Sequence, residues 1–129
     1  MRQALTAMLV AAAALVAGCS TTSSSTPAST QQIPAWTGRV FVSESRLPES
    51  AKFKVLGSVE ANARAGYDSG TALYPLLAEE ARKLGANAVI GVTGGRRVTA
   101  FSWAAAYVNG VAIRIDDAEA LKKLPGSYH

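Results

Sequence analysis

Hydrophobic and polar positions along this chain fall into three regimes: an apolar run from Ala4 to Ala17, a polar stretch from Ser20 to Pro34, and a mixed remainder. In the remainder, periods of two and of about 3.6 residues take turns. Arg39-Val40-Phe41-Val42-Ser43 is β-rich and predicts a first strand over 38–43, ended by a turn at Leu47-Pro48-Glu49. From Lys52 to Glu60 the alternation predicts a second strand, with Phe53, Val55, Gly57 and Val59 on one face and Lys52, Lys54, Ser58 and Glu60 on the other. Gly57 within it signals a bulge or a close approach by another backbone or an aromatic ring. Leu73, Leu76, Leu77, Ala81 and Leu84 then recur at helical spacing, while Glu79, Glu80, Arg82 and Lys83 form the solvated side. Glu79 and Lys83 are an i,i+4 pair. Pro75 must lie in the first turn, Asp68-Ser69-Gly70-Thr71 offers caps, and Gly85 is the stop.

A third strand follows over 86–93, apolar on both faces and therefore central. Strand, helix and strand in this order imply a right-handed crossover. The stretch Gly94 to Ala106 reads as strand continuation and then a loop. Asn109-Gly110 fits either a hairpin turn or a bulge within one strand, and a single strand from about 107 to 115 is the reading adopted. Asp116 then caps a short helix through Ala118, Leu121 and Leu124, closed by Pro125-Gly126. The expected fold class is α+β: a small mixed β-sheet of about four strands packed on one main helix, in the order β-β-α-β-β, with a short C-terminal helix.

The first regime changes the picture. Met1-Arg2-Gln3 is a short positive start, and the apolar run that follows is too short for a spanning helix, which needs about 20 residues to cross roughly 30 Å of hydrocarbon. This is a signal-peptide profile. It closes on Leu15-Val16-Ala17-Gly18-Cys19, which resembles the lipobox of bacterial lipoproteins. That resemblance implies a diacylglyceryl thioether on Cys19, cleavage before it and acylation of the new amino group. Each buried CH₂ contributes roughly 0.8 kcal/mol, and a single chain holds only marginally, so several chains are needed for a stable anchor. Ser20 after the cysteine resembles an outer-membrane sorting signal. The expected location is lipid-anchored in the cell membrane, most specifically the outer membrane facing the periplasm.

Three parts follow: a signal peptide over 1–18, a lipidated N-terminus with a disordered Ser/Thr-rich tether over 19–35, and one periplasmic α+β domain over 36–129. The tether carries no charge and, from Ser20 to Pro34, Ile33 as its one large apolar residue. As a flexible chain it would span roughly 20 Å. Removing residues 1–18 takes away Arg2 alone among the charged residues, so 13 Lys and Arg become 12 against 9 Asp and Glu. This mild, dispersed excess argues against nucleic acid as a partner. With Cys19 committed to lipid, the domain has no disulfide to use.

Three separated pieces resemble one family: Leu56-Gly57-Ser58-Val59, Lys83-Leu84-Gly85-Ala86-Asn87-Ala88-Val89-Ile90, and Gly110-Val111-Ala112-Ile113. In order and spacing they are similar to the YbjQ-like and RcsF-like group, over roughly residues 38–115. The resemblance implies a compact sheet on a helix, with the Gly-Ala-Asn-Ala-Val-Ile run entering the central strand. The extra disulfide-forming cysteines of the RcsF-like sensor are missing from this chain, so its signalling activity does not transfer. The heavy-metal-binding label of the YbjQ-like group finds no residues to rest on.

The chemistry of the domain is sparse. His129 is the only histidine and Cys19 the only cysteine, so no transition-metal site and no Ser/His/Asp or Cys/His set is expected. No cofactor is implied. Asp116, Asp117 and Glu119 sit at a helix start, where negative charge is stabilising, and are read as capping residues rather than a Ca²⁺ site. Gly91-Val92-Thr93-Gly94-Gly95-Arg96-Arg97 offers backbone N–H groups and forked donors to an anion without any phosphate-loop spacing. Phe101, Trp103 and Tyr107 are read as core or oligomer contacts. Candidate ligand or partner contacts are Arg96, Arg97 and Trp103. The expectation is a non-catalytic accessory or sensory envelope lipoprotein that binds an envelope protein. The alternatives are a small-molecule or anion-binding periplasmic module and a self-assembling homo-oligomer of structural type.

Overall fold

The computed structural model describes residues 21–30, 33–63, 69–98 and 104–129. Among these, six strands form one sheet: β1 (Thr22–Pro27), β2 (Phe41–Val42), β3 (Lys54–Asn62), β4 (Ala88–Arg97), β5 (Ala105–Arg114) and β6 (Ser127–Tyr128). Their spatial order is β1-β3-β5-β4-β2-β6. A 3₁₀ turn, Gly70–Leu73, leads into α1 (Tyr74–Leu84), and α2 is a single turn, Glu119–Lys122. The α+β class stands, but the sheet has six strands rather than about four, and the extra two are its edges.

β5 is antiparallel to both β3 and β4, so β3 and β4 run parallel to one another with β5 slotted between them. The unit β3-α1-β4 is therefore a crossover that leaves room for one strand. β5 fills that room because Ala106, Val108, Gly110 and Ala112 are small or slim enough to lie under α1, while Ile113 is buried on the other face. Asn109-Gly110 lies inside this one strand and makes no turn. The three motif segments thus meet across the sheet, with Val59 opposite Gly110 and Ile90 opposite Val111.

α1 starts where Pro75 permits, since its missing N–H falls in the first turn, and it ends at Gly85 in the left-handed conformation (φ 85°). Its inward face buries Tyr74, Leu77, Ala78 and Ala81 against Val59, Ala61, Val89, Val108 and Ala112. A second apolar cluster, Phe41, Ala88, Ile90, Ile113, Ile115 and Leu121, lies on the opposite face and is covered by α2 and its flanks. Asn87 ties that side together: its amide donates to Ile115 O at 2.7 Å and its carbonyl oxygen accepts from Ile115 N at 2.9 Å.

Four expectations need correction. The tether over 19–35 was expected to be disordered, yet Thr22–Pro27 pairs antiparallel with β3 from Thr22↔Asn62 to Pro27↔Gly57. A Ser/Thr run has too little apolar surface to fold alone, but here it satisfies the free hydrogen-bonding edge of a strand already held by the core. Second, the face assigned to Phe53 and Val55 is wrong. Leu56 has no partner on β5 because the register shifts between Val55 and Gly57, and this bulge reverses the phase. Leu56, Val59 and Ala61 turn inward, while Phe53 and Val55 are 36% and 48% exposed. Third, Glu80 is not solvated but 5% exposed, and Lys83 pairs with it at 3.0 Å rather than with Glu79. Fourth, Asp116 caps nothing. Its carboxylate lies 4.0 Å from Arg114 and is fully exposed, whereas Asp117 Oδ1 accepts the Glu119 N–H at 3.0 Å.

Candidate functional site

The strand register defines two ends of the sheet. At one of them, here the upper end, Thr22, Asn62, Tyr107 and Gly95 lie in one cross-strand row, and β4 continues past it through Arg96 to Arg97, with Val98 following. Pro27, Val55 and Ala88 belong to the lower end. α1 begins at the upper end, and the gap between its 3₁₀ lead-in and the tips of β4 and β5 is a cleft of about 330 Å³.

Glu44, Tyr74, Ser69, Thr71 and Arg96 bring the polar groups to this cleft. The Tyr74 hydroxyl donates to Glu44 Oε1 at 3.4 Å, and the Ser69 and Thr71 hydroxyls are 2.9 Å apart. Burial and then the neighbouring Glu44 charge push the Tyr74 phenol above its ordinary pKa, so it stays a neutral donor. Behind Tyr74, the His129 ring stands edge-on at 6.0 Å. Burial, with Arg39 and Arg82 adding positive charge, holds that imidazole below its ordinary pKa of 6.5. Its Nε2 is 2.7 Å from Ser127 Oγ, and its backbone pairs with Val40 as an extension of β6.

The two candidate arginines part company. Neighbours on a strand point to opposite faces, and Arg96 lines the cleft on the α1 side, where Nη1 donates to Ala104 O at 2.8 Å. Arg97 is on the other face, with its guanidinium carbon 4.0 Å from the Tyr107 ring centroid and Nη2 3.5 Å from Glu60 Oε1. An anion cradle built from both is therefore not formed. Trp103, Phe101, Cys19 and the lipobox-like residues Leu15, Val16, Ala17 and Gly18 lie outside the described residues.

Arg97 belongs instead to a polar face on the side of the sheet away from α1. Ser24, Thr26, Ser58, Glu60, Thr93 and Asn109 line a shallow hollow of about 400 Å³ there, and the Thr93 hydroxyl donates to Asn109 Oδ1 at 2.7 Å. A larger hollow of about 760 Å³ at the lower end is lined by Pro27, Ile33, Leu56 and Leu84 together with Ser29, Thr30 and Lys83.

Glu44 and Tyr74 gave no signal in the sequence, since one sits in a loop and the other reads as an ordinary core aromatic. In chemical terms the upper cleft offers a carboxylate, a neutral phenol, hydroxyls and a guanidinium. These groups suit recognition of a polar ligand or a peptide segment. Among the described residues, no group of three or more His, Cys, Asp and Glu side chains is placed to hold a metal ion, and no helix is long and apolar enough to cross a membrane.

No model of a known protein family, no curated protein and no solved structure matches this chain.

Proposed function

We propose that the protein is a lipoprotein of the cell envelope, anchored through acyl chains on Cys19, whose domain acts by binding another envelope component rather than by catalysis. The observation that carries this reading is the pentapeptide Leu15-Val16-Ala17-Gly18-Cys19 at the close of a positively started apolar run. Small residues before the cysteine let an extended backbone enter a protease, and a thiol at the membrane surface is the nucleophile for lipid transfer. Ser20 favours the outer membrane, facing the periplasm. The affinity to the YbjQ-like and RcsF-like group is part of the same proposal and rests on the three motifs that meet across β3, β5 and β4.

The binding role is supported by the polar make-up of the upper cleft and of the open sheet face. The decisive experiment is maturation in cells. Globomycin or Cys19→Ser leaves the full-length precursor, and mass spectrometry of the wild-type protein finds residue 19 at the N-terminus with acyl mass on it. An unmodified N-terminus in the mature wild-type polypeptide refutes the anchor. Crosslinking in intact cells tests the binding role, and recovery of no specific envelope partner refutes it.

A further inference from the structure

We propose that the domain stands end-on against the bilayer that holds its lipid, with the upper end of the sheet, carrying Arg96, Arg97 and Val98, in contact with the headgroups. This rests on the lipoprotein reading above and adds an orientation to it.

Covalent reach is the first ground. Thr22 is three residues from Cys19 and is already fixed in the sheet opposite Asn62. Three residues extend at most roughly 10 Å, about half the span expected of a free tether over 20–34. The domain therefore does not hover at the end of a long leash. Thr22 must stay within about that distance of Cys19, which keeps its end of the sheet, rather than the far end, near the bilayer surface.

Register is the second ground. β1 runs downward from Thr22, so its start belongs to the upper row with Asn62, Tyr107 and Gly95. β4 lies three strand spacings away, about 14 Å across the sheet, and Arg97 stands two residues above the row, about 7 Å higher. That height is comparable with the reach of the segment from Thr22 back to Cys19. The lower end is five residues further down β1, about 17 Å, and cannot meet the same plane while the sheet stands upright.

The third ground is chemistry. Guanidinium groups pair with phosphate as forked donors and are weakly hydrated for a cation. Arg96 and Arg97 are both exposed, and Val98 beside them is 65% exposed, the most open large apolar side chain among the described residues. Cations flanking an apolar residue are the composition of an interfacial contact. Arg97 is held on Tyr107 whether or not it keeps Glu60, and an exposed pair of that kind is worth little, so a phosphate displaces the carboxylate at small cost.

The test uses the full mature lipoprotein in phosphatidylethanolamine and phosphatidylglycerol vesicles that contain bromolipids. Cys19 is the only cysteine, so a lipidated wild-type protein takes no thiol-reactive fluorophore, and Val98→Cys and Val55→Cys each take one label. Both valines are exposed, at opposite ends of the sheet. The expected result is roughly threefold stronger quenching of the label at 98 than at 55, as befits a contact about 5–10 Å into the interface. Equal quenching, or stronger quenching at 55, with an unlabelled wild-type protein, overturns the orientation alone. A wild-type protein that labels at Cys19 has no lipid there, and the orientation then falls together with the anchor.

Discussion

α1 is attached along two seams that work by different physics. Towards β3, β5 and β4 it presents Leu77, Ala78 and Ala81, all fully buried, against aliphatic side chains of the sheet. Towards β1 it presents Glu80, which accepts the Ser23 hydroxyl at 2.8 Å and the Lys83 ammonium at 3.0 Å. The first seam is driven by removal of apolar area from water, about 25 cal/mol per Å². The second removes almost none and relies on hydrogen bonds, whose net worth is about 0.5–1.5 kcal/mol each. The core seam can therefore hold the fold, whereas the β1 seam can only decorate a fold that already exists. β1 is thus held to the helix by polar contacts and to the sheet by its pairing with β3.

The largest effect belongs to the core seam. Leu77→Ala removes a side chain with no exposure from the cluster that also holds Val59 and Val89, and is expected to cost about 2–5 kcal/mol. Chemical denaturation measures it, and a loss near zero would mean that α1 is not the keystone of the sheet. The middle effect belongs to the bulge. A Cβ added at Gly57 would overlap Thr26 O, so Gly57→Ala pushes β1 away and is expected to cost about 1–3 kcal/mol. Its signature is local: amide hydrogens of residues 22–26 exchange faster while those of β4 and β5 keep their protection. Uniform acceleration throughout the sheet would show that the two seams are one cooperative unit.

The same contrast explains what could be read from the sequence. α1 was legible because its apolar positions follow the period of the element that buries them, β4 because its run is apolar on both faces, and Gly85 and Pro75 mark ends by mechanisms that do not depend on neighbours. β1 was not legible because Thr22 to Thr26 carry no apolar pattern, and the information that makes them a strand is the open edge of β3. Gly57 did announce a close approach, but which backbone approached was beyond it. Its bulge also reversed the faces of Phe53 and Val55, a phase shift that alternation alone cannot place. In the site, Arg96 and Arg97 were seen as a pair, although extension of the strand through them already dictates opposite faces. Glu44 meets Tyr74 only through tertiary packing, and nothing local in the chain connects a loop carboxylate to a helix phenol 30 positions later.

The smallest effect is the sharpest probe of the polar seam, because it carries a pH signature that the apolar seam lacks. Burial works to raise the pKa of Glu80, but hydrogen bonds from Lys83 and Ser23, with the Lys83 charge, outweigh it and hold the carboxyl below its ordinary value of 4.5. A folded-state pKa below the unfolded one means that the unfolded chain takes up the proton first as acid is added. The stabilisation is therefore complete above pH 4.5 and is lost as the pH falls through the lower folded value. Glu80→Gln keeps the shape of the side chain and removes the charge, so it is expected to cost about 0.5–1.5 kcal/mol at neutral pH. As the pH falls below 4.5 and on through the lower folded value, the stabilities of variant and wild type converge, because both then carry a neutral group at position 80. Urea titrations from pH 7 down to 3 measure this difference. A gap that stays constant across the range would show that Glu80 acts through packing alone, and β1 would then have to be held by its backbone pairing with β3.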